Sequence, residues 1–372
     1  MKSTIAVALV SGVVSCAIGL DAIAQQIPNG AIRATPNSTK SWERPTLRVS
    51  LPTTATKFKF SADGETLLTN GATEQSAELW SLTTGKRISA FPAKAGFAFC
   101  DVALSPDGQF AAGLMDSREA STVRTKRKIE LNVWNLKTGQ SRWTSPIQDH
   151  TIQTPETPVC QVEFSPNSRV LATSISSRSN KLQSGVRIWN APQGTLQQVT
   201  GSAVTHIEGL AFSRDSAVVG FTTLVNGNSQ LHLWNLNARK LQAKLQAVHE
   251  GNFLSIGDIV FSPNQQDVMA FTYDGGIFSY LHRWQIKTGT LQSSSVLPLD
   301  RTDGLLALSL DGQTYVYGGD VTGYHIGNFQ TNRSWEFPQG LSPTSGLTRV
   351  VFSRDGQQMA IMSNDQTINV IH

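Results

Sequence analysis

Seven histidines are the residues of this chain best suited to proton transfer or metal ligation: His150, His206, His232, His249, His282, His325 and His372. They are scattered, and no two stand at a metal-ligand spacing. Hydrolytic chemistry needs a nucleophile, a histidine and a carboxylate brought to one point, and the abundant serines here belong to a repeat that identifies no such point. Neither a phosphate-cradling Walker sequence nor a dinucleotide fingerprint is present. The chain therefore reads as noncatalytic, with no cofactor and no metal centre expected.

Charge is more informative. Residues 116–128 hold Arg118, Arg124, Lys126, Arg127 and Lys128, and residues 176–184 add Arg178 and Lys181. Seven cations on one surface create a local field that the formal charge of +4, from 31 basic and 27 acidic residues, conceals. Such a field suits an acidic protein or an anionic envelope surface. The small overall surplus and the lack of a recognition motif give no specific nucleic-acid partner. Long exposed loops also tolerate charge without any role, so both readings stand. A neighbouring segment, Tyr273 to Tyr280, places Tyr273 and Phe278 around two glycines as a rigid aromatic contact, although Phe278 and Tyr280 can equally alternate into a strand.

The elements that must position these groups come from a repeat. Phe60-Ser61-Ala62-Asp63-Gly64 recurs as Leu104-Ser105-Pro106-Asp107-Gly108 and Phe164-Ser165-Pro166-Asn167-Ser168. It continues at Phe212, Phe261, Leu308 and Phe352, with successive starts 44 to 60 residues apart. Seven copies at this period mark a repeat architecture. Each apolar landmark ends a strand, and the following Pro, Asp, Asn and Gly residues supply the turn into the next. Third strands end in Trp80, Trp134, Trp189, Trp234 and Trp284, one repeated packing position rather than an aromatic ladder. Gly-containing turns such as Thr83-Thr84-Gly85-Lys86 then lead into a fourth strand. The expectation is all-β: a seven-bladed propeller of four-stranded antiparallel blades over residues 45–372.

These turns and tryptophans resemble the WD40 family, whose sevenfold propellers the pattern matches across nearly the whole chain after about Pro45. The chain departs from the family pattern in having no Gly-His pair before its first strands. Closure is expected from residues 46–50, which can supply the missing outer strand of the seventh blade beside residues 367–371. Three residues before each landmark stand Lys57, Asp101, Gln161, Gly209, Asp258, Leu305 and Arg349. This position is expected to face the central channel, where Lys57, Asp101 and Arg349 can pair between blades and Asp258 adds a carboxylate.

Residues 1–24 read as a signal peptide: Lys2, an apolar stretch from Ile5 to Leu20, and Ala22-Ile23-Ala24 before a cut ahead of Gln25. Residues 25–44 read as an exposed leader, with Trp42 able either to dock on the propeller or to anchor a partner. The expected location is periplasmic or secreted. Val13-Val14-Ser15-Cys16 offers an alternative, a lipoprotein box that would place a lipid on Cys16 at the outer membrane. No later apolar run is long enough for a transmembrane helix. Cys100 and Cys160 each stand four positions before a landmark and are expected as two small buried core residues rather than as a disulfide. Together these features describe a noncatalytic interaction scaffold of the bacterial cell envelope, the alternative being a small-ligand or carbohydrate sensor that uses the channel.

Overall fold

A computed structural model gives the architecture. It describes Trp42 and residues 44–372, apart from 72, 118–124, 153–158, 177–184, 201–205, 226–227, 250–251, 254, 274–278, 297–303, 320–322, 330, 332, 338–346 and 364–366. The signal segment with Cys16, and the leader before Trp42, lie outside the described residues. So do Arg118, Arg124, Arg178, Lys181 and Phe278.

Seven four-stranded antiparallel sheets form a ring. Their first strands are innermost: Phe58–Phe60, Phe97–Leu104, Val159–Phe164, His206–Phe212, Ser255–Phe261, Gly304–Leu308 and Leu347–Phe352. Each packs beside the next, and the seventh returns to the first. The amino-terminal strand Leu47–Leu51 is the outermost strand of blade 7, pairing Val49 with Val370 and Leu51 with Ile368. Backbone bonds from Thr46 to His372 (2.9 Å) and back (3.0 Å) extend this ladder. A short extra hairpin, Val248–His249 with Asn252–Phe253, lies in sequence between blades 4 and 5.

The landmark sequence folds the same way in all seven blades. In blade 2, the Ser105 hydroxyl donates to Asp107 Oδ1 at 2.6 Å and accepts from the Phe110 amide, while Asp107 Oδ1 also accepts from Gln109 N–H. The fifth residue of the motif is left-handed throughout, including Ser168, Ser216 and Gln265 at φ near 60° where glycine is the unstrained choice. Tryptophans at the third-strand position fill the space between sheets; Trp80 and Trp189 donate their indole N–H to Thr69 and Thr173 on the neighbouring strand. In blade 6 the position is Gly327, and the Tyr315 ring lies where its Cβ would be.

Two expectations change. Cys100 and Cys160 are disulfide-bonded, their Cα atoms 5.8 Å apart, joining the inner strands of blades 2 and 3. Equal positions in consecutive repeats become neighbours near the axis, and here both are cysteine. Residues 116–128 are not one long loop: strands Phe110–Ser117 and Thr125–Asn135 leave only 118–124 between them, so Lys126, Arg127 and Lys128 are strand residues. Of the two readings of Trp42, docking on the propeller is the one found: it is 1% exposed, with its ring edge-on to Phe352 at 6.1 Å.

Candidate functional site

The inner strands enclose a central cavity of about 630 Å³ lined from every blade. Its wall has three tiers because residues two apart on a strand share a side. The tier three residues before the landmark supplies Lys57, Asp101, Gln161, Asp258 and Arg349. The next tier is apolar through Ala211, Val260, Ala307 and Val351, interrupted by Lys59 and Glu163. At the turn end stand Ala62, Pro106, Pro166 and Leu310, with Arg214 and Arg354 from blades 4 and 7.

The expected pairing of Lys57, Asp101 and Arg349 does not form. Asp101 is buried and its Oδ2 accepts the Val162 amide at 2.8 Å, so that carboxylate braces blade 3 instead. The ion pair that does form is Lys59 Nζ to Glu163 Oε2 at 2.8 Å, from blade 1 to blade 3. Its signal was in the repeat: the position before the landmark is small or apolar in five blades and carries opposite charges in these two.

Electrostatics separates the two lysines. At Lys59 burial works against the charged form, but Glu163 and Asp101 outweigh it and hold the ammonium above its ordinary value. At Lys57 burial prevails: Asp101 and Asp258 pull upward, Arg349 and Lys59 push down, and the ammonium sits below its ordinary value. Arg349 lies over the Phe58 ring, with its Cζ 5.7 Å from the centroid, and its buried Nε has no hydrogen-bond partner.

The second candidate surface belongs to blade 2. Its third and fourth strands, Thr125–Asn135 and Ser141–Ile152, have 11 and 12 residues against six each in blade 3. The added length pairs Lys126 with Thr151, Arg127 with His150 and Lys128 with Asp149, beyond Asp116, which pairs with Ile129 on the same strand. An antiparallel blade places that extension at the end opposite the landmark turns, where the inner strands begin. Lys128 is exposed, with its amide held by Ser117 Oγ at 2.8 Å. In blade 5, Tyr273 ends the second strand opposite Ser279, and Tyr280 is buried in the core rather than displayed.

Among the described residues no three His, Cys, Asp or Glu side chains converge as a metal cage, and no helix is long and apolar enough to cross a membrane. His232 and His282 are buried in blade walls, bonded to Thr223 and Thr272. Neither a protein-family model nor a curated protein matches the chain. The seven-bladed β-propeller is shown by its own geometry.

Proposed function

We propose that this WD40-like propeller is an exported, noncatalytic scaffold of the bacterial cell envelope, docking an acidic protein on the extended hairpin of blade 2. The observation that carries this reading is the elongation of that blade's outer strands, which sets Lys126, Arg127 and Lys128 on a sheet extension instead of a loop. A hydrogen-bonded ladder presents such groups with little ordering cost on binding. The Cys100–Cys160 disulfide supports export, since such bonds persist in oxidising compartments.

The test is affinity capture from the native envelope fraction, comparing the chain with a variant carrying Arg124→Glu, Lys126→Glu, Arg127→Glu and Lys128→Glu. The expected outcome is one acidic protein retained at low salt, released as salt rises and lost with the variant, while both chains melt alike. Unchanged capture overturns the docking surface. Retention on anionic lipid vesicles, with no protein captured, moves the assignment to the envelope surface.

A further inference from the structure

Charged groups in a protein interior ordinarily find partners, because desolvation is costly and a neighbouring opposite charge offsets it. The channel follows this rule at Lys59 and Glu163 and breaks it one tier away. Lys57 and Arg349 occupy the same repeat position on adjacent blades, 1 and 7, and neither side chain has a hydrogen bond or ion pair among the described residues. Arg349 depresses the Lys57 ammonium rather than satisfying it. Asp101 attracts Lys57 electrostatically, but its Oδ2 accepts the Val162 amide and it forms an ion pair with neither cation. Phe58 backs the guanidinium plane through its ring face and takes no hydrogen bond from Nε. Two cations without an ion-pair partner among the described residues thus share a cavity whose volume suits a small solute.

The remainder of the tier narrows the chemistry. Asp258, exposed on blade 5, can bond hydroxyl groups, while the tier beneath is largely apolar and can support the carbon face of a ring. We infer that the channel binds a small hydroxylated carboxylate of the sugar-acid type, its carboxylate held between Lys57 and Arg349 and its hydroxyls directed toward Asp258. Arg349 supplies the planar fork that matches a carboxylate, and Lys57 adds a point charge. The site is independent of protein docking on blade 2, so either can fail without the other.

Calorimetric titration of the purified chain with glucuronate tests the site, with glucose and succinate as comparators that lack the charge or the hydroxyls. Glucuronate is expected to bind more tightly than either. Lys57→Gln and Arg349→Gln should each weaken it about tenfold, the effect of losing one charge-assisted hydrogen bond. Asp258→Asn should narrow the preference over succinate. Absence of glucuronate binding, or equal binding by the Lys57→Gln/Arg349→Gln double variant, overturns the proposal. Thermal melting without ligand provides a second readout: relief of like-charge repulsion should leave the variants as stable as the parent or more so. A lower melting temperature would make the two cations structural and would also overturn it.

Discussion

The joint between blades 2 and 3 and the joint that closes the ring between blades 7 and 1 are secured by different means. Between blades 2 and 3, contacts run from axis to rim. The disulfide and the Asp101–Val162 bond lie innermost, the Asp107 amide donates to Ser168 Oγ at 3.0 Å, and Trp143 donates to the Ala191 carbonyl at 2.8 Å while stacking on Trp189. At the closing joint one side chain gathers most of the polar contacts. Arg48, on the outermost strand of blade 7, donates to Gln358 Oε1 at 2.5 Å, to the Gly64 carbonyl at 3.0 Å and to Glu65 Oε2 at 2.7 Å. Covalent reinforcement therefore sits not at ring closure but beside the longest blade. Closure is noncovalent and rests on a strand ladder with a local clasp.

Breaking the covalent joint should have the largest effect. The Cys100→Ser/Cys160→Ser variant frees a loop with a sequence separation of 60 and should lose about 4 kcal/mol of stability in denaturant unfolding if the loop-entropy model holds. Mild reduction of the parent chain should reproduce that loss. A change under about 1 kcal/mol would mean that the noncovalent contacts already hold the joint.

Opening the clasp should matter less. Arg48→Met removes charge-assisted bonds from a part-buried site, with an expected loss of about 2 kcal/mol. In a chain that also lacks the disulfide, the two losses should add to within about 0.5 kcal/mol, because the joints share no partners. A larger departure would show that strain passes around the ring.

The smallest expected effect separates turn geometry from joint contact. Gln265→Gly removes a left-handed strained residue on an exposed turn and should stabilise by up to about 1 kcal/mol. Ser168→Gly relieves the same strain but deletes the hydroxyl that accepts the Asp107 amide, so its gain should vanish. Equal gains at both sites would remove Ser168 from the account of the joint.

The repeat was legible because its turns need particular residues: serine and Asp or Asn to bond the backbone, and a residue tolerant of left-handed φ. Closure was legible for a similar reason, since the strands Leu347–Phe352, Met359–Ser363 and Ile368–Ile371 leave one place open in the last blade and Leu47–Leu51 fits it. Lateral relations between blades were harder. Cys100 and Cys160 read as core residues in a single repeat and pair only because the ring makes their strands adjacent, while Lys59 and Glu163 interrupt an otherwise apolar tier on blades that are not consecutive in sequence. The length of blade 2 was hidden by charged residues that look like loop but continue a ladder. Along-chain periodicity specifies each blade; contacts across blades depend on which side chains the ring brings together.

The ladder joining Thr46 to His372 spans a sequence separation of 326. Folding therefore cannot finish blade by blade, since the last sheet lacks a strand until distant parts of the chain meet. Such non-local pairing makes closure slow, and until it occurs one strand edge at Ile368–Ile371 stays open to any extended segment that finds it first. The Leu47–Leu51 strand thus also guards against association between copies, and its arrival sets the time during which the newly made ring needs protection.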